Sequence, residues 1–101
     1  YDLGLLGLVT GDGLMARAQA DSILSQQPSH LLGLVLVMRT AGMQRDTLAR
    51  RGYAEKLLLL ARSERAKNLT EYVDHGPDID AALREASGPA VVPPPTGPAP
   101  R

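Results

Sequence analysis

The chain has 101 residues and carries eleven Lys and Arg against eleven Asp and Glu, so its formal net charge is zero. It contains no Cys, Phe or Trp, which excludes a disulfide framework, a Cys-ligated zinc site and a thiol nucleophile. The neutral total and the three tyrosines as the only aromatic residues argue against a general nucleic-acid binder, which works through phosphate neutralisation and base stacking. The length allows no more than one small domain.

The apolar residues are mainly Leu, Ala, Val and Met, and they predict an all-α protein because helix formers outnumber β-branched residues. Residues 1–9 are predicted to be the end of an apolar helix, so we expect a first turn or an earlier helical unit upstream of Tyr1. Asp12 is the predicted N-cap of a second helix over residues 14–27, which Pro28 ends.

The middle of the chain predicts two further helices. Ser29 is the expected N-cap of a third helix, which is apolar nearly all round over residues 31–38 and is therefore expected to be buried. Asp46 or Thr47 is predicted to cap a fourth helix that continues to Leu60.

The C-terminal third divides into a helical stretch and a tail. Residues 70–86 are helical in pattern with Thr70 as cap, and Gly76-Pro77 is expected to break the stretch so that Asp78 caps a separate last helix. Residues 88–101 hold six of the eight prolines, which predicts an extended or disordered tail. A disordered terminus and an extended arm lying in a partner's groove are both compatible with this composition.

Charge is divided between two segments. Residues 39–67 hold eight basic and three acidic side chains, whereas residues 71–85 hold five acidic side chains and one basic side chain. These segments are either two helix faces that attract each other or a basic surface for an acidic partner. Nucleic-acid binding through residues 39–67 is a remote alternative, disfavoured by the acidic end of the chain.

A repeat becomes visible at an offset of 34 residues, which separates the two capping residues Asp12 and Asp46. At this offset Ala20 falls on Ala54, and the apolar residues that follow also coincide. The sequence resembles the tetratricopeptide repeat, a 34-residue helix–turn–helix unit. The second unit departs from the pattern unless its second helix is shifted by one residue. The positions that match the repeat's packing residues are Leu3, Gly4, Ala16, Ala20, Leu24, Ala49, Tyr53 and Leu57.

The resemblance implies a short solenoid of stacked antiparallel helix pairs. It divides the chain into a first unit at 1–28, a second unit at 29–62, C-terminal capping helices at 63–87 and the Pro-rich tail at 88–101. In this family the first helix of each pair lines a concave face that binds proteins or peptides. The residues expected there are Tyr1, Leu5, Leu8, Val9, Val35, Arg39 and Met43. The alternative for the apolar residues of this set is that they form the core.

The predicted function is therefore a non-enzymatic protein-interaction or scaffold module with protein partners. The alternative is a structural accessory subunit of a larger complex, attached to a membrane if an anchor lies upstream of Tyr1, since residues 1–101 contain no segment long enough to span a bilayer. No catalytic, cofactor or metal site is predicted, because His30 and His75 lack partners at ligand spacing. The composition hints at a bacterial source and is compatible with cytoplasm or periplasm.

Overall fold

A computed structural model describes residues 1–88, and within that range all regular structure is helical. The predicted Pro-rich tail lies outside the described residues from position 89 onward. Six helices follow one another along the chain: α1 (Asp2–Thr10), α2 (Gly13–Gln26), α3 (Leu31–Met43), α4 (Thr47–Arg65), α5 (Thr70–Asp74) and α6 (Gly76–Ser87). Each of the first three helices packs on the next, α1 also contacts α3, and α6 folds back onto α4 and α3.

The α1–α2 turn and the α3–α4 turn have the same geometry, 34 residues apart. Gly11 and Arg45 both adopt the left-handed conformation, with φ of 78° and 59°. The next residues are Asp12 and Asp46, and each carboxylate accepts a hydrogen bond from the amide three residues later, at 3.0 Å and 3.1 Å. Each Asp amide donates to the carbonyl five residues earlier, at 2.6 Å and 2.9 Å. Both predicted N-caps are thereby confirmed, and the sequence offset corresponds to a repeated local structure.

The centre of the molecule is α3, whose residues 31–38 are all buried as predicted. Neighbouring helices approach it closely where they carry or meet glycine. A Cβ atom built on Gly4 of α1 would lie 2.6 Å from Leu36 Cδ1, and one built on Gly33 would lie 2.8 Å from Leu24 Cδ2. A side chain at either glycine would displace the facing leucine, so the missing side chains allow the close approach at these two points.

The other residues that were predicted to pack between helices differ in how deeply they are buried. Ala16, Ala20 and Leu57 are fully buried, and Ala49 and Tyr53 are half-buried on α4. Leu3 is 55% exposed and belongs to the outer side of α1. The small residues Ala16 and Ala20 of the first unit therefore lie in the core, whereas Ala49 of the second unit is only half-buried and Leu3 is at the surface.

Three cap predictions are corrected. The third helix is capped by His30 instead of Ser29, because the imidazole Nδ1 accepts a hydrogen bond from the Leu32 amide at 3.2 Å. Thr70 is the first residue of α5, and its N-cap is Leu69, which makes no side-chain cap bond.

The chain does break at Gly76-Pro77, as predicted, but Asp78 lies inside the first turn of α6 and is not its cap. Proline at the start of a helix costs no hydrogen bond, so α6 can begin at Gly76. Since the helix needs no cap from Asp78, that carboxylate is available for tertiary contacts.

Candidate functional site

The acidic helix α6 pairs with two cations of the basic segment, Arg39 and Arg65. The Arg39 guanidinium lies 2.9 Å from Asp78 Oδ1 and makes two bonds to the Glu85 carboxylate, at 3.0 Å and 3.2 Å. Further along, Arg65 lies 2.7 Å from Asp80. The charge separation in the sequence therefore corresponds at least in part to attraction of α6 for α3 and α4, since the forked geometry of Arg gives directional pairing with carboxylates.

Tyr1 joins α1 to this cluster. Its hydroxyl donates a hydrogen bond to Asp78 Oδ2, and its ring makes an edge contact with His75, with centroids 4.8 Å apart. Burial and the hydrogen bond to Asp78 raise the pKa of the Tyr1 hydroxyl above its ordinary range. Burial alone would raise the pKa of Asp78, but hydrogen bonds from Tyr1 and Arg39 outweigh it and hold that pKa below its ordinary value.

A second buried network holds the N-terminus of α3. Tyr72 accepts a hydrogen bond from the Leu31 amide at 3.0 Å and donates one to Glu64 Oε1 at 2.7 Å. Because His30 Nδ1 is an acceptor, its Nε2 carries the proton and donates to Glu71 Oε2 at 3.1 Å. A shallow cleft of about 250 Å³ lies beside this network, but the titratable side chains along it already bond to one another or to Asp78.

The two networks give stability an expected dependence on pH. The pKa of Glu64, which burial would raise, is instead lowered by hydrogen bonds from Lys67 and Tyr72, and the pKa of Asp78 is also lowered. A lowered folded pKa gives stability that is complete above the unfolded pKa, about 4, and is lost as the pH falls through the folded value. The pKa of Tyr72 is raised by burial and by its bond to Glu64, so its contribution is complete below the unfolded pKa, about 10, and is lost above it.

We therefore expect thermal melts to give a plateau between about pH 5 and 9, with a falling melting temperature on both sides. Asp78→Asn should flatten the acid limb and Tyr72→Phe the alkaline limb. A melting temperature that is unchanged between pH 7 and pH 3 would show that these carboxylates are not held in their hydrogen bonds in solution.

The residues predicted to line a concave binding face are not brought together on one free surface. Val35 is fully buried, Leu5 and Leu8 pack against the core, and Tyr1 and Arg39 are bonded to α6. Val9 and Met43 are exposed. At Arg39, α6 therefore occupies part of the side of α3 that the resemblance assigns to partners.

An apolar surface instead lies on the outer side of α1. Leu3, Leu6 and Val9 are 55%, 50% and 85% exposed and follow one another at three-residue spacing. We call these three residues the α1 stripe. Sequence reasoning named Val9 as a partner-binding residue and Leu3 as a packing residue, and it missed Leu6. The sequence signal for Leu6 was that α1 is apolar on every side. Packing one side of such a helix against α2 and α3 leaves apolar side chains exposed on the other side.

A second surface, also missed, lies on α4. Positions 48, 52, 55, 59 and 62 alternate by four and three residues, and all are exposed. We call Leu48, Gly52, Glu55, Leu59 and Arg62 the α4 outer face. Leu48 and Leu59 are 78% and 80% exposed. This spacing is typical of a helix surface that packs against another helix.

Gly52 is the unusual member of the α4 outer face. It lies in the interior of a 19-residue helix, has no positive φ, and a Cβ atom built on it would meet nothing within 4 Å. Glycine in an exposed helix interior costs about 1 kcal/mol relative to alanine. Neither backbone geometry nor packing within residues 1–88 accounts for that cost.

Residues 1–88 hold no grouping of side chains suited to a metal ion, since no three or more His, Asp or Glu side chains in that range are arranged to hold one. None of the helices α1–α6 is long and apolar enough to cross a membrane.

Comparisons of the chain with protein-family models, with curated proteins and with solved structures found no match. The α1 stripe and the α4 outer face are therefore the observations from which a function can be argued.

Proposed function

We propose that the chain is a non-enzymatic protein-interaction module that works within a larger assembly, and that the α1 stripe is where an apolar helix of a protein partner docks. The exposed Leu3, Leu6 and Val9 carry this proposal. They extend over about 9 Å, or two helical turns, which matches the contact length of a crossing helix. None of the three is charged, and α1 has no basic residue, so the stripe lacks the cations that a phosphate-rich partner requires.

The intrinsic instability of α1 supports a partner at this surface. The helix contains Gly4 and Gly7 and has no side-chain hydrogen bond at its N-cap. Its stability must therefore come from packing, because residues of low helix propensity and a missing cap both disfavour it. A partner on the α1 stripe would supply packing on the side that α2 and α3 leave open.

The arrangement of helices supports two units of the tetratricopeptide type within this proposal, α1–α2 and α3–α4, followed by α5 and α6 as a cap. The repeated turn at Asp12 and Asp46 and the contact of α1 with α3 are the supporting observations. In such a stack the outer side of the first helix is the place where a neighbouring helix continues the packing. A permanent partner would make the chain an accessory subunit, and an exchanging partner would make it a scaffold module.

The test places a photo-cross-linking amino acid at position 6 of the full chain in its cells of origin, with position 73 as the matched control. Val73 is also an exposed apolar residue, but it lies on α5. We expect one discrete adduct from position 6 and none from position 73. The adduct partner, once purified, should bind the chain at least tenfold more weakly after Leu6→Lys and Val9→Lys, because two cations would enter an apolar contact.

Equal adducts from both positions, or unchanged affinity of the folded double-lysine variant, would contradict the proposal. The dissociation rate of the purified complex then distinguishes an accessory subunit from a scaffold module.

A further inference from the structure

The α4 outer face differs from the α1 stripe in charge. Arg51 and Lys56 flank it on its two sides, and Arg62 continues it toward the end of α4. Within residues 1–88 none of these three cations forms an ion pair, unlike Arg39 and Arg65. Glu55 is the one acidic residue on the face. The surface thus has exposed Leu48 and Leu59 on either side of Gly52, and excess positive charge borders it. We call the open space above Gly52, where a side chain is missing, the glycine gap.

From this we infer that the α4 outer face is a second docking site, which takes an acidic amphipathic helix of a partner protein. A partner side chain would fill the gap above Gly52, and partner leucines would pack on Leu48 and Leu59. Carboxylates on the flanks of the partner helix would face Arg51 and Lys56. This inference goes beyond the proposed function, since it concerns a different surface and commits to the chemistry of the partner.

Charge and shape favour this occupant over three others. A second copy would bring Arg51, Lys56 and Arg62 near the same cations, which is repulsive. A helix that binds an anionic membrane presents a broad apolar side, whereas Glu55 places a carboxylate at the centre of this face. Lipid binding also does not account for an open space above Gly52. A nucleic acid would leave the two leucines uncovered, because phosphate contacts neutralise cations without burying apolar side chains.

The glycine gap is the most specific part of the inference. A glycine with open space around it allows a partner helix to approach the backbone closely, as at other helix crossings. An alanine there should raise the melting temperature of the free chain by about 4 °C, because it favours the helix. The same methyl group would obstruct the partner. Stability and binding are thus expected to change in opposite directions.

The experiment uses the full chain and two designed 21-residue helical peptides with leucine at every a and d heptad position. One peptide carries Glu on its flanks and the other carries Lys at the same positions. We expect the Glu peptide to bind with a Kd in the micromolar range by calorimetry, and more weakly as salt is raised. The Lys peptide should not bind at tenfold higher concentration.

The variants then test each part of the surface. Gly52→Ala should weaken binding of the Glu peptide at least tenfold while raising the melting temperature. Arg51→Gln with Lys56→Gln should remove most of the salt dependence. Leu6→Lys on the α1 stripe is the control that should leave this binding unchanged, so failure here is separable from failure of the proposed function.

Equal binding of both peptides, or unchanged affinity after Gly52→Ala, would overturn the inference. It would also be overturned if Leu59→Gln abolished self-association in sedimentation, or abolished binding to vesicles of phosphatidylserine and phosphatidylcholine. Those results would assign the face to a second copy or to a lipid surface instead.

Discussion

Replacing Leu36 with alanine is expected to lower the free energy of unfolding by about 3 kcal/mol. Leu36 is fully buried in α3, and its Cδ1 atom fills the place where a side chain on Gly4 would lie. The substitution removes buried apolar atoms and leaves a cavity at the crossing of α1 and α3. Since a small domain has only about 5–15 kcal/mol of stability, this loss is a large part of the total.

Urea unfolding followed by circular dichroism at 222 nm measures this effect. Leu59→Ala is the matched control, because Leu59 is exposed on α4 and its truncation should change stability by less than about 0.5 kcal/mol. A loss below about 1 kcal/mol for Leu36→Ala would mean that α3 is not the centre of the folded unit in solution.

Removing one hydroxyl in Tyr72→Phe is expected to cost about 2–3 kcal/mol, although the change is nearly isosteric. Tyr72 is 4% exposed, and its hydroxyl bonds both the Leu31 amide and the Glu64 carboxylate. Without it, the first amide of α3 and a buried charge each lose a partner. A buried polar group without a hydrogen bond is more costly than the loss of the bond itself suggests.

A double-mutant cycle with Glu64→Leu checks this explanation. When the carboxylate is absent, the phenylalanine no longer leaves a buried charge unsatisfied. The double variant should therefore lose less stability than the sum of the two single variants. Strict additivity would show that Tyr72 and Glu64 do not share a hydrogen bond in solution.

Local signals in the sequence were sufficient for most helix boundaries. Asp12 and Asp46 cap their helices as predicted, and Gly76-Pro77 separates α5 from α6. These features depend on hydrogen bonds or backbone restrictions within a few residues, so they can be predicted without knowing what packs where. The same holds for the burial of α3, because a helix that is apolar on nearly every side has no polar side to present to water.

The cap residue of α3 and the role of Asp78 could not be obtained in this way. His30 becomes the cap because its ring is held between the Leu32 amide and Glu71, a residue 41 positions away. Asp78 does not cap α6, because its carboxylate accepts hydrogen bonds from Tyr1 and Arg39. In both cases the hydrogen-bond partner is distant in sequence. The charged or buried hydrogen bond to that partner outweighs the local preference of Ser29 or Asp78 for the N-cap position.

For the candidate surfaces too, the sequence supplied part of the information and the tertiary structure supplied the rest. The charge totals revealed a basic segment and an acidic segment. Only the packing of α6 showed that Arg39 and Arg65 are paired, while the three cations on and beside the α4 outer face have no ion pair within residues 1–88. Heptad-like spacing at positions 48–62 was present in the sequence and went unused, because α4 also has an apolar side that packs into the core.

The sequence by itself determined that this protein is helical, where its principal turns lie and that its third helix is buried, because each depends on local chemistry or on the periodicity of one segment. Outside the third helix, only the tertiary structure decided which apolar side chains are core and which are surface. Ile79 and Leu59 are equally apolar in the sequence, yet one is fully buried and the other is 80% exposed. That difference arises from which helix packs on which side, and it places the proposed docking surfaces on the outer sides of α1 and α4 instead of on α3.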